Sequence, residues 1–458
     1  MNPVTDGSPA SRDILRAVLP SFFLVTPELE YRPYLLAGEP EVRREDDRME
    51  VRFRIREDAR WSDGQPVTVE DVAFTWRAMT HPEVDVALPD GFDHVVDVVE
   101  ESPTVGTLLL SPPLASWREL FSAGRFVLPA HVTPNPAGVE DWSRGPPVGA
   151  GPFRLRRVVP GRSVLLAADP EFFGPSPLVR SIEVAFVPDP TTAVQLLSAG
   201  QIDAVASMLG ISWSRRLASI PGVQVSEAYG PDLVHLVFNA DRLPDVEVRR
   251  GIARSIDRLR FVEGVVNDEG VRAEGILAPE QSGAVPVWTD IRTGSSDSAP
   301  GEELSLAYTN TELLDFLARF VQAELERAGG DVELVPLDAD VFQGLFLPQR
   351  DFDMVLWESR TGLAPSLARW LTIPGSAEPV TGFSDPKVAN LAADAEAGGD
   401  RATMALAEAQ ALLAELVPVL PVYQPKVTVA WRPGVTGPRA NPTVDGPLWN
   451  AWEWSKAG

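Results

Sequence analysis

The sequence predicts an α/β protein with added antiparallel pieces, and three observations carry that expectation. A strand–helix–strand unit runs through Leu304 to Tyr308, Leu313 to Ala328 and Val332 to Val335. Such alternation implies parallel strands joined by a right-handed crossover. Arg48 to Ile55 (RMEVRFRI) alternates apolar and polar residues, the period of a strand. Residues 149–167 read as a hairpin folded about Pro160-Gly161, with no helix between its arms.

The remaining elements follow in chain order. An apolar helix is expected from Ile14 to Leu24. After the Arg48 strand, Trp61-Ser62-Asp63-Gly64 is a turn whose Asp-Gly pair tolerates positive φ. Thr68 and Asp71 form a capping box, in which each end satisfies a free amide of the other. Val72, Trp76 and Met79 then share one helix face. Ile182 to Val187 reads as a strand, and Thr191 to Ser198 as a helix stopped by Gly200. Leu233 to Phe238 (LVHLVF) is a buried strand. Val248, Ile252, Ile256 and Leu259 mark one helix, and residues 290–302 a polar linker. Asp353 to Trp357 is a strand and Met404 to Leu416 a helix. Val419 to Tyr423 and Val427 to Trp431 are two late strands.

At 458 residues, 44% of them apolar, the chain has material for two large lobes or three smaller units. No window approaches 18 uninterrupted apolar residues. A formal charge of −25 repels phosphate backbones, so nucleic acid is not an expected partner. The absence of cysteine excludes disulfides, thiolate metal sites and cysteine nucleophiles. The four histidines (His81, His94, His131, His235) have no metal-ligand spacing, and His235 in its apolar strand reads as a core residue. There is no G-x-S-x-G elbow. Gly149-Ala150-Gly151 leads into a strand rather than a helix, unlike a dinucleotide loop. No cofactor, metal or catalytic residue is expected. Met1 to Ser11 has no basic stretch followed by an apolar one, so no signal segment is read in this sequence.

Six segments in order carry a resemblance. Phe53 to Met79 (FRIREDARWSDGQPVTVEDVAFTWRAM) resembles a family signature of strand, W/H-x-D-G turn and T-x-x-D-V-x-F helix start. Val148 to Phe153 is similar to G-T-G-P-Y, Asp169 to Gly174 to N-P-x-Y-W-G, and Ser198 to Asp203 to x-x-G-E-I-D. Phe238-Asn239 through Arg258 resembles F-N … D-x-R-V-R … A-I-D-R. Ala407 to Pro421 resembles a late helix and strand, E-A-Q-x-x-L … P-x-x-P. The family is that of the family 5 extracellular solute-binding proteins of ABC importers, which take up oligopeptides, dipeptides and nickel.

That resemblance implies a periplasmic-binding-protein-like type II fold, with two hinged lobes and an inserted subdomain. Residues 1–35, 146–238 and 428–458 would form lobe I, 36–145 the subdomain and 239–427 lobe II. Crossings near Asn239 and Tyr423 to Lys426 would act as the hinge. The implied function is capture of a peptide-like or other small polar solute in an interlobe cleft, without catalysis. The protein would work as an extracytoplasmic monomer, periplasmic or lipid-anchored, that delivers its ligand to ABC permease subunits. A cytoplasmic sensor on the same fold, or an enzyme built on it, are the alternatives.

In peptide-binding members a strand ending in Trp presents its backbone to the ligand, and an Asp four residues before a Pro anchors the peptide amine. Here Trp357, Glu358, Ser359, Arg360 and Thr361, together with Tyr423, are the implied ligand-binding residues. Counting back from Pro365 lands on Thr361, and counting forward from Trp357 lands on Arg360; neither is acidic. A buried ammonium needs an opposing charge. The expected solute is therefore neutral or anionic, held by Arg360 and stacked on Trp357. Glu358 is the acid that could take over the amine, but adjacent strand residues face opposite sides, which turns it away from Trp357.

Overall fold

The structure, a computed structural model, describes residues 1–45, 47–87, 91–133, 135–187, 189–208, 213–266, 270–288, 303–359, 363 and 380–457. The expected linker at 290–302 lies outside them. The chain divides into two compact units, one of 1–208, 214–228 and 427–458, the other of 209–213 and 229–426.

In the first unit, Glu41–Glu45, Arg48–Arg54, Val105–Leu110 and Val95–Ser102 form an antiparallel sheet in that order. Met49, Val51 and Phe53 alternate inward beneath the helix Val69–Met79. Asp71 locks the start of that helix: its Oδ2 accepts the Thr68 amide at 2.8 Å and the Trp61 indole at 3.1 Å, and its Oδ1 accepts the Ala130 amide at 2.8 Å. The capping box therefore also fixes the Trp61 turn. Gly106 lies where the helix meets the sheet; a Cβ there would sit 2.8 Å from both Phe53 and Val69.

The hairpin Phe153–Val159 and Ser163–Ala168, joined by Ser181–Ala185, makes a three-stranded meander. Its inner face packs on Ile14, Ala17, Val18 and Trp454. The Gly149-Ala150-Gly151 segment docks on the end of the first helix. The Ala150 and Gly151 amides both donate to the Val18 carbonyl, at 3.0 and 2.8 Å, and a Cβ at Gly151 would meet the Ala17 oxygen at 2.5 Å. These glycines serve backbone approach, not nucleotide binding.

The helix expected from Ile14 to Leu24 is instead Pro9–Arg16, followed by the strand Phe23–Val25. Pro20 lacks the amide a helix interior needs, and the Arg16 guanidinium is drawn inward to Ser21 and Asp445.

In the second unit the sheet order is Val419–Lys426, Leu233–Phe238, Met354–Ser359, Glu303–Thr309 and Asp331–Leu337, with Gly270–Arg272 on the outer side of the first. Glu303–Thr309 runs parallel to both Asp331–Leu337 and Met354–Ser359, as the strand–helix–strand reading requires. Its crossover helix Glu312–Arg327 is N-capped by Thr311. The two late strands are one, Val419–Trp431: its first part pairs with Leu233–Phe238, and Val427–Trp431 belongs to the first unit, beside Ala204–Met208. The helix expected to reach Leu259 stops at Ser255, because Asp257 caps a new short helix through the Arg260 amide, and Leu259 is exposed.

Two expected boundaries shift. Leu233–Phe238 is held by strands on both sides within the second unit, so it does not close the first. Asn239 is likewise interior to the second unit. Its amide side chain donates to the Arg350 and Phe352 carbonyls, both at 2.9 Å, and the chain passes between units near Tyr229 instead.

Candidate functional site

The strand Met354–Ser359 lies antiparallel to Leu233–Phe238, and their register places the site residues. Trp357 stands opposite His235, and Glu358 opposite Val234, which in turn faces Tyr423 on the next strand. Directly opposed residues share a face, so Glu358, Val234 and Tyr423 lie on one side of the sheet and Trp357 and His235 on the other. The implied site residues are thus not all gathered on one face. Arg360 and Thr361 lie outside the described residues.

Trp357 is half-buried, with its ring 6.2 Å from Phe342. Phe342 belongs to a π-helical turn, Phe342–Phe346, and Phe346 in turn stacks on Phe352 at 5.9 Å. π-turns are rare and recur at functional sites. The aromatic chain beneath Trp357 fixes its ring while leaving part of it accessible. The sequence reading missed Phe342 and Phe346; their four-residue spacing was the signal available.

Tyr423 is 1% exposed, and its ring meets Phe261 edge-on at 5.4 Å. Burial raises its phenol well above the ordinary value, and the Glu358 charge adds to this, so the hydroxyl stays protonated. Beside this row, Arg258 is fully buried. Its guanidinium donates to the carbonyls of Ala273 (2.6 Å), Pro421 (2.8 Å) and Trp288 (2.7 Å), and burial lowers its pKa to about 10. Three separate chain segments are thereby pinned to the end of the sheet.

The four histidines lie in separate surroundings. His235 is fully buried and is pushed down to about 3 by burial, against a smaller upward pull from the Ile276 backbone, so it is neutral in the fold. His81 accepts from the Glu83 amide, His94 lies 2.9 Å from the Pro112 carbonyl, and His131 lies 2.7 Å from Asp63. Among the described residues no group of three or more His, Asp or Glu is placed to hold a metal ion, and no helix is long and apolar enough to cross a membrane.

The accessible part of the Trp357 ring, backed by Phe342, can stack a flat group. Residues 30–378 match the sequence model of the bacterial extracellular solute-binding proteins, family 5. The chain is 27% identical over 302 residues to the probable monoacyl phosphatidylinositol tetramannoside-binding protein LpqW of Mycobacterium tuberculosis, covering 62% of this chain and 46% of that one. The chain thus spans a little under half the length of that curated relative. It is 24% identical over 442 residues to the probable di/tripeptide-binding protein 5 of Pseudomonas aeruginosa, covering 87% and 83% of the two chains. The solved structure of the periplasmic EDTA-binding protein EppA superimposes with a TM-score of 0.88 at 20% identity, over 100% of this chain and 94% of that one, and so shares its fold. The protein belongs to family 5 of the bacterial extracellular solute-binding proteins.

Proposed function

We propose that the protein captures a small polar solute outside the cytoplasm and delivers it, chemically unchanged, to the membrane subunits of an ABC importer. Family membership over residues 30–378 is the observation that carries this reading. The relatives' names speak of a lipid tetramannoside, of di- and tripeptides and of EDTA. So diverse a set leaves the ligand class to this chain's own residues. Trp357, seated on Phe342, supplies a stacking surface, and the positions where a peptide amine would find an acid hold Arg360 and Thr361. We therefore assign a neutral or anionic solute, stacked on Trp357 and held by Arg360. Glu358 and Tyr423 act from the opposite face of the sheet as support.

Titration calorimetry against short peptides and their N-acetylated forms tests the assignment. Acetylation is expected to leave affinity unchanged or improve it. Trp357→Ala should weaken binding at least tenfold, about 1.4 kcal/mol, with no change in the returned solute's mass. Micromolar binding that vanishes on acetylation would contradict the solute class.

A further inference from the structure

We infer that one end of the three-stranded meander in the first unit is a contact surface for an anionic lipid bilayer. The protein carries a formal charge of −25, yet residues 154–168 hold four arginines (Arg154, Arg156, Arg157, Arg162) and no acid. Arg154 is neutralised by Asp169, and Arg157 lies 3.8 Å from Glu183. Arg156 and Arg162 take part in no ion pair among the described residues.

The fold brings these cations together with an apolar tip. The register of the hairpin shifts between Leu155 and Arg157, a bulge that sets an extra residue in one strand against its partner. It breaks the in-and-out alternation and leaves both Arg156 and Arg157 exposed. Leu155, Val158, Val164 and Val184 still face the core, so the hairpin stays anchored. At the turn, Pro160, Gly161 and Arg162 are exposed, with Gly161 at φ +66. Phe186 is 37% exposed, and its amide donates to the Arg162 carbonyl at 2.9 Å, which holds the ring at the same end as the turn.

Arg156 is separated from the turn by about 10 Å of strand. That distance matches the depth of a bilayer's headgroup layer and about one Debye length at moderate salt. Arginine heads and the Phe186 ring therefore meet a single interfacial layer, the long arginine stems lying along apolar surface while their charge stays wet. A fluid array of phosphates satisfies such cations without a matching arrangement of acids, which a protein partner would have to supply. Each arginine near an anionic surface contributes about fivefold in partitioning. The two unpaired arginines, Arg156 and Arg162, suffice to orient the protein on a membrane, not to anchor it alone.

Co-sedimentation of the full chain with vesicles of phosphatidylglycerol and phosphatidylcholine, against phosphatidylcholine alone, tests this. Partition into anionic vesicles is expected to exceed the neutral level at least tenfold at 20 mM salt and to fall severalfold at 300 mM. R156E/R162E should bring it to the neutral level, and F186S should lower it about threefold. R43E/R44E, on the exposed strand Glu41–Glu45, changes the net charge equally and should leave partition near that of the unmodified chain. Equal partition into both vesicles, an unaffected R156E/R162E, or equal loss in R43E/R44E overturns the proposal. So does binding of soluble poly-glutamate as tight as that of vesicles and indifferent to F186S, which would assign the surface to an acidic protein. Solute binding and thermal unfolding of all three variants should match the unmodified chain, so failure here is separable from failure of the transport reading.

Discussion

His235→Gln is expected to flatten the acid side of the stability profile of the second unit. In the fold the imidazole is pushed down to about 3 by burial, whereas in an unfolded chain it titrates near the ordinary value of about 6.5. Above about pH 6.5 both states are neutral and the group adds no pH dependence. As pH falls from 6.5 toward 3, the unfolded chain takes up a proton that the native state refuses. Stability therefore drops by about 1.4 kcal/mol per pH unit, approaching about 5 kcal/mol in all. Glutamine keeps a polar side chain at this position but cannot titrate. Denaturant unfolding at intervals between pH 4 and 7 should show a shallower slope in the variant, by about one proton. Parallel profiles would show that His235 is not the group that protonates on unfolding.

The second large effect concerns Arg16 and Asp445, which hold the two ends of the chain together in the first unit. Both side chains are 1% exposed, and the ions lie 4.0 Å apart. The Asp445 carboxylate also accepts the Val25 amide at 2.6 Å, and the Arg16 guanidinium stands 4.6 Å over the Tyr34 ring. Burial raises Asp445 against the pull of Arg16, so the pair is strongly interdependent. Removing one partner strands a buried charge, which costs about 3–5 kcal/mol. Asp445→Ala should therefore lower the midpoint of the first unit's thermal transition by about 6–20 °C. Arg16→Met combined with Asp445→Leu should be less damaging than either single change, because no charge is then left uncompensated. Additive losses in the double variant would show that the two residues act separately.

What could be read from the sequence depended on how local the determining chemistry is. The Asp71 capping box, the Trp61 to Gly64 turn and the crossover from Glu303 to Leu337 are written within a few residues or one helix, and they formed as expected. The early helix failed at Arg16, whose partner Asp445 lies at the far end of the chain. Periodicity cannot see such a pair. The two late strands of the sequence analysis are one in the fold: Pro425 lacks an amide, but Gly270 lies opposite it and the strand continues.

The site was legible in the same uneven way. Trp357 falls on its strand, and the opposed facing of Glu358 followed from the two-residue period. The support beneath Trp357 was not visible, because Phe342 reaches it through a π-turn that ordinary helical spacing does not anticipate. Arg258 was quoted only as part of a motif. Its three carbonyl partners at Ala273, Trp288 and Pro421 come from separate segments, so the reason for the arginine emerges only in three dimensions.

Native mass spectrometry of the protein from its own cells, paired with thermal unfolding against the released small molecule, tests solute capture most directly. The account predicts a one-to-one adduct that is lost on unfolding. Added back at a hundred times its Kd, the molecule should stabilise the fold by about 2.7 kcal/mol. A protein that carries no adduct, and whose unfolding no peptide, glycan or chelate shifts, would contradict it.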